Sequence, residues 1–300
     1  MLELDGLTRR FGALLALDHL SFTVPTGQVF GFLGPNGAGK TSAMRAILGV
    51  LALDAGQVRW KGAPVGPAER RRFGYMPEER GLYPKMAVDQ QLIYLGRLHG
   101  MTAADAERAT GHWLEVLGVA ERAHDKVEAL SLGNQQRAQL AAAMVHGPEL
   151  LVLDEPFSGL DPAGVDALAS VLSDEAAAGK AVVFSSHQLD LVEHLCHAVA
   201  IVDHGRLVAS GTVDELARSG PQRLVVHVAG DPEGHWARDL GGVAVLENEN
   251  GRVHVELAEG TDPQAVLAAA LAAGAVEEFA FERRRLSEVF RQSVGEGGKR

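Results

Sequence analysis

The sequence predicts an α/β fold, built on a largely parallel sheet covered by helices, with a helical insertion and a small second α+β domain. Three observations carry this. Short β-type runs alternate with helical stretches around residues 150–210, a wholly helical block separates them from the earlier strands, and the texture changes at Ser219-Gly220-Pro221.

The first 60 residues read as strands Met1–Leu7, Leu20–Val24, Gln28–Leu33 and Gly56–Trp60. A helix from about Lys40 to Leu48 interrupts them and stops near Gly49. From Val88 to His146 the pattern is helical: Leu92, Leu95 and Leu98 share one face, Trp113, Val116 and Leu117 another, and Arg137–Val145 is rich in alanine. Strands are then expected at Leu150–Leu153, Ala181–Ser185, Val199–Asp203 and Arg206–Ser210, with helices near Asp166–Ala178 and Leu189–Cys196. The expected domains are 1–219, with a helical subdomain over about 86–148, and 220–300. The second reads β (Leu224–Val228), α (about Pro232–Leu240), β (Val243–Glu247), β (Arg252–Leu257), α (Pro263–Ala273), β (Val276–Glu282) and a closing helix Leu286–Ser293. The order βαββαβ is that of a ferredoxin-like domain. It holds no metal-ligand spacing, so an interaction or regulatory module is expected there.

Composition narrows the function. The 300 residues are 46% hydrophobic and 22% charged, a globular balance. Lys+Arg 28 against Asp+Glu 39 leaves a net charge of −11, so a nonspecific nucleic-acid partner is not expected. The longest apolar run, Ala265–Val276, contains Gly274 and is too short to cross a bilayer as a helix. Arg9-Arg10-Phe11 imitates a twin-arginine export signal, but Asp18 and His19 end its apolar run early and no small-residue cleavage site follows. The single cysteine, Cys196, fits a reducing compartment, and the cytoplasm is the expected location.

Gly34-Pro35-Asn36-Gly37-Ala38-Gly39-Lys40-Thr41 follows the apolar strand Val29–Leu33 and opens a helix. Its glycines let backbone N–H groups turn toward phosphate oxygens, and the helix N-terminus adds partial positive charge. Lys40 would reach the β- and γ-phosphates, Thr41 would hold Mg²⁺, and Ser42 would bond a further phosphate. Leu150-Leu151-Val152-Leu153-Asp154-Glu155 is an apolar strand ending in two carboxylates: Asp154 suits an indirect Mg²⁺ ligand, and Glu155 a general base for the attacking water.

With these motifs, the stretch from about Leu2 to Ala217 resembles the ATP-binding cassette (ABC) ATPases, P-loop NTPases with a mixed sheet core and a helical subdomain. Leu130-Ser131-Leu132-Gly133-Asn134-Gln135-Gln136 stands where that family has its signature. The resemblance implies that Ser131 and Gly133 meet the γ-phosphate bound by a second subunit, although Ser131 alone also reads as a plain helix cap. Ser158-Gly159-Leu160-Asp161 resembles the family's D-loop, which brings Asp161 to that interface, and Ser185-Ser186-His187 its switch, which brings His187 to the γ-phosphate. Phe11 stands where the family stacks an aromatic ring on adenine; core packing is the rival reading. The bound nucleotide, ATP, is likewise implied by the resemblance.

The sequence departs from the family pattern in three places. Leu132 replaces a glycine and Asn134 a glutamine. Gly74-Tyr75-Met76-Pro77-Glu78 ends in glutamate where the family has a metal-contacting glutamine, which keeps an oxygen for Mg²⁺ and adds negative charge beside the phosphates. The run Pro77-Glu78-Glu79-Arg80-Gly81-Leu82-Tyr83-Pro84, with Leu286-Ser287-Glu288-Val289-Phe290, is similar to exporters of the sodium-efflux and drug-efflux type. That resemblance implies a separate membrane permease, a second ATP-binding subunit and a place on the cytoplasmic face of the membrane. A soluble ABC ATPase acting on a macromolecular partner is the alternative. A kinase or GTPase sharing the cradle would leave Ser131, Asp161 and His187 unexplained.

Overall fold

The computed structural model describes residues 1–79, 81–238 and 240–297. Arg80 of the Pro77–Pro84 run and Asp239 of the expected Pro232–Leu240 helix lie outside the described residues. Two compact units result, one of Met1–Val213 with the segment from Phe290, the other of Asp214–Val289. The division falls after Val213, ahead of the Ser219-Gly220-Pro221 segment.

The first unit begins with β1 (Leu2–Phe11), β2 (Leu14–Val24), β3 (Gln28–Leu33), α1 (Lys40–Ile47), β4 (Ala55–Trp60), β5 (Ala63–Pro64), α2 (Pro67–Arg70) and β6 (Phe73–Met76). Three longer helices follow, α3 (Val88–Leu98), α4 (Ala103–Val116) and α5 (Leu132–Met144). The chain then runs through β7 (Leu150–Leu153), α6 (Pro162–Ala177), β8 (Ala181–Ser186), α7 (Leu189–Leu195), β9 (Ala198–Asp203) and β10 (Arg206–Thr212).

Two sheets share these strands. One is antiparallel, in the order β2-β1-β4-β5; the other has six strands in the order β10-β9-β3-β8-β7-β6, parallel except for β10. The expectation of one largely parallel sheet therefore holds for the second, whereas the N-terminal strands form a sheet of their own. The difference is written in burial. Strands β7, β8 and β9 are buried at every residue, as parallel strands covered on both faces must be. By contrast, β2 alternates buried with exposed or half-buried positions along its second half. Between the sheets Phe22 stacks on Phe30 at 5.7 Å and tilts against Phe32 at 5.0 Å, in a core shared with Met44 and Ile47 of α1. Burying each such ring contributes roughly 1.5–3 kcal/mol.

Helix starts are capped where the sequence offers oxygen. Thr102 accepts from Asp105 N, Ser131 from Asn134 N, and Asp161 from Gly164 N with Pro162 next. In α3 the leucine stripe is only partly covered: Leu92 is buried, but Leu98 is exposed. Likewise Val116 is exposed although Trp113 and Leu117 are buried. On β6, a Cβ at Gly74 would lie 2.2 Å from the Ala143 carbonyl, so this glycine is what lets α5 press its backbone against the sheet.

The second unit contains most of α8 (Val213–Ala217), then β11 (Arg223–Val228), β12 (Val243–Glu249), β13 (Arg252–Leu257), α9 (Pro263–Ala273), β14 (Val276–Glu282) and the start of α10 (Leu286–Gly297). Its sheet is antiparallel throughout, in the order β12-β13-β11-β14, the ferredoxin-like arrangement. Leu224, Val226, Val253, Val255, Val266 and Ala270 form its separate core. The helix expected over Pro232–Leu240 is a correction: among the described residues between β11 and β12 only a 3₁₀ turn, His235–Ala237, forms. Asp231 accepts from Trp236 N at 3.0 Å, and Gly234 at φ +63° takes a left-handed conformation that ends any helix before it begins.

Candidate nucleotide site

Four parallel strands deliver the candidate residues from their carboxyl ends, where open α/β sheets bind ligands. The end of β3 leads into Gly34–Gly39, that of β6 into Pro77 and Glu78, that of β7 into Asp154 and Glu155, and that of β8 into His187. Pairing sets their depth: Leu33 lies beside Ser186 and Leu153 beside Phe184.

The turn after β3 opens α1 without any side-chain cap, through Gly39 at φ +103°. The first N–H groups of α1 are thus left for a ligand, in a conformation only glycine takes freely. A cavity of about 320 Å³ faces them. Asn36, Gly37, Gly39, Lys40, Thr41 and Ser42 line one part of it; Phe11, Glu78, Asp154 and Glu155 line the rest. Leu14 and Ala16 join them as well, and nothing in the sequence pattern had marked either. Phe11 is exposed at the end of β1 with the Arg9 guanidinium 4.8 Å over its ring, so the core-packing reading of this residue fails. Ala38 is buried behind the turn, its N–H donating to Pro35 O at 3.1 Å.

Lys40 is buried, and its Nζ donates to Gly34 O at 2.7 Å and Pro35 O at 3.2 Å. Burial pushes its pKa down, against the opposing pull of Glu155, Asp154 and Glu78. Thr41 Oγ1 donates to Asp154 Oδ2 at 2.8 Å. These are hard oxygen donors of the kind Mg²⁺ selects.

Burial also pushes the Glu155 carboxyl pKa up, while His187 draws it down through a 3.0 Å hydrogen bond between Nδ1 and Oε2. Glu155 holds φ +50°, a strained value for a side chain with a Cβ. Ser185, fully buried, fixes the pair from behind: its Oγ donates to Asp154 Oδ1 at 2.6 Å and accepts from Glu155 N at 2.9 Å. Gln136 Nε2 holds the carbonyls of Glu155 at 3.1 Å and Pro156 at 2.9 Å. Sequence reasoning assigned no role to either residue. Each stands in a run that marks other residues: Ser185-Ser186-His187 points to the histidine, and Leu130–Gln136 to Ser131 and Gly133.

Ser131, Gly133 and Asp161 do not line this cavity. They form a second group, in which a Cβ at Gly133 would lie 3.6 Å from Leu160 and one at Gly159 3.9 Å from Leu132. Ser131 and Asp161 are both exposed, each capping its helix.

The family described as "ABC transporter" matches residues 17–158, and one described as "ATP-binding protein DrrA1-3-like, C-terminal domain" matches residues 211–294. The ABC transporter ATP-binding protein YhaQ of Bacillus subtilis (strain 168) is 40% identical over 98% of this chain and 99% of its own length. The linearmycin resistance ATP-binding protein LnrL of the same organism is 33% identical over 75% of this chain and 74% of its own. The Nod factor export ATP-binding protein I of Paraburkholderia xenovorans (strain LB400) is 36% identical over 77% of each chain. Among solved structures, an ATP-binding subunit of an ABC transporter superposes with a TM-score of 0.67 and 29% identity, over 73% of this chain and 92% of that one. The dimeric post-hydrolysis cassette MJ0796 with ADP and Pi, 20% identical, shares the fold with a TM-score of 0.65 over 71% of this chain and 99% of that one. The chain therefore belongs to the ATP-binding proteins of ABC transporters, a family of ATPases.

Proposed function

We propose that this ATPase is the motor of an exporter whose membrane path is a separate permease. Two copies, or this chain and a related one, would enclose ATP between the Lys40 cradle of one subunit and the Ser131 helix of the other. The observation that supports this most is the division of the candidate residues into two groups. Lys40, Thr41, Asp154, Glu155 and Glu78 share one cavity, whereas the exposed Ser131 and the half-buried Gly133 stand outside it. A second subunit supplies the missing half.

In this reading the cassette is residues 1–219, with its helical subdomain over about 86–148, and residues 220–300 are a regulatory or interaction domain. Phe11 stacks on the adenine ring. The N–H groups at the start of α1, Lys40 Nζ and Ser42 take the phosphates, exchanging Lys40's bonds to Gly34 and Pro35 for charged ones. Thr41 and Asp154, with Glu78 nearby, would hold Mg²⁺, which would neutralise charge on the phosphates. Glu155 accepts a proton from the attacking water; burial raises its pKa above the ordinary carboxylate value, which makes it a stronger base than an exposed glutamate. His187, bonded to Glu155, senses the γ-phosphate. The exporter assignment draws on LnrL and the Nod factor export proteins, and on the DrrA-like match to residues 211–294.

Among the described residues no helix is long and apolar enough to cross a membrane, and in this reading the permease supplies the membrane path. Fractionation tests this. The chain is expected to sediment with membranes when co-expressed with a hydrophobic protein encoded beside it, and to stay in the supernatant without it. An unchanged soluble distribution in both cases contradicts the transport reading.

A further inference from the structure

Helix α5 grips the backbone beside Glu155 and beside Glu78, two of the three acidic residues that pull on Lys40. Gln136 holds Glu155 and Pro156 by their carbonyls. One turn further along the same face, Gln139 is buried, and its Nε2 donates to Pro77 O at 2.6 Å and Glu79 O at 3.3 Å, while its Oε1 accepts from Gly81 N at 3.4 Å. Pro77 and Glu79 flank Glu78. That segment lies between the end of β6 and the start of α3, outside any ladder or helix, so this amide replaces the regular bonding it lacks. The Glu78 side chain itself is exposed, lines the cavity with Lys40 and raises the lysine's pKa. Tyr83, further along the segment, is braced in the same manner: the buried Gln91 of α3 takes Tyr83 N at 2.6 Å and gives to Tyr83 O at 3.4 Å.

We propose that Gln139 is a positioning residue that ties the placement of the Glu78 carboxylate at the nucleotide-bound cation to the position of α5, the helix that Ser131 begins. A shift of α5 then moves Glu78 through Gln139 and the Glu155 peptide through Gln136. The inference rests on the reading of Glu78 as a group that acts on the metal. It differs from plain satisfaction of a loop's backbone by one consequence: the effect of Gln139 on metal response must pass through Glu78.

A double-mutant cycle on the full chain separates the two. The probe is AMP-PNP, which is not hydrolysed, and the readout is the gain in its equilibrium affinity on replacing EDTA with saturating Mg²⁺. Glu78→Ala is expected to cut that gain about tenfold, Gln139→Met about fivefold, and the double variant no more than Glu78→Ala alone. Effects that multiply overturn the proposal, since Gln139 would then act without Glu78. No change in Gln139→Met while Glu78→Ala shifts also overturns it. No change in Glu78→Ala overturns instead the metal role of Glu78 on which the inference rests. Gln139→Glu keeps the size and the acceptor for Gly81 but loses both donors; it must reproduce the methionine result, and it replaces that variant if melting curves show Gln139→Met unfolded at the assay temperature.

Discussion

Glu155 bears two costs at a single position. Its φ of +50° lies in the left-handed region, where a side chain costs roughly 1–2 kcal/mol, and its buried carboxyl has its pKa raised above the ordinary 4.5. Folding therefore favours the protonated acid. That contribution is full below the unfolded value and is lost as pH rises through the folded one. Glu155→Gln should accordingly melt higher than the natural protein at pH 7.5, with the gain gone at pH 4. Glu155→Gly should add about 1 kcal/mol more by relieving the backbone, while both variants lose ATP turnover. Melting temperatures at neutral pH equal to or below that of the natural chain would contradict this account of strain. The sequence reveals Lys40, Thr41, Asp154 and Glu155 because each stands within a contiguous motif whose chemistry is local. Ser185 and Gln139 stay hidden for the opposite reason: their partners lie 30 and 62 residues away, the motif around Ser185 marks the histidine and not the hydroxyl, and the Gln139 amide has no pattern around it.

At the scale of elements, the long and strongly patterned pieces are legible and the short ones are not. Strand β3 is expected and found at Gln28–Leu33, and α1 ends one residue before its expected stop. Strand β6 escapes notice because it has four residues, one of them glycine. The end of α5 carries a property that pattern reading cannot supply. There His146 stacks on His99 with ring centroids 3.7 Å apart, its Nε2 lying 3.1 Å from Phe73 O. Burial, with His99 alongside, lowers the His146 pKa to about 4. Since the folded value lies below the unfolded 6.5, the unfolded chain binds the extra proton between those values, and stability present above pH 6.5 is lost as pH falls toward 4. The loss is on the order of 2–3 kcal/mol. His146→Gln should flatten that part of a urea-denaturation series across pH 4–7; an unaltered slope would place the acid sensitivity elsewhere.

For the whole molecule, charge and length exclude more than they identify. A net charge of −11 argues against a polyanion, yet the cradle still gathers Lys40 and the free end of α1 around one cavity, because a bound triphosphate answers to local charge and not to the sum. The central claim is that this cavity is completed by the Ser131 helix of a second subunit. Light scattering of purified Glu155→Gln with ATP and Mg²⁺ tests it most directly. The account predicts a mass of twice 31.8 kDa with ATP and a monomer without it. It also predicts that Ser131→Arg in the same background abolishes the dimer while leaving ATP binding to the cradle in place. A monomer at every ATP concentration, or a dimer indifferent to Ser131→Arg, would contradict it.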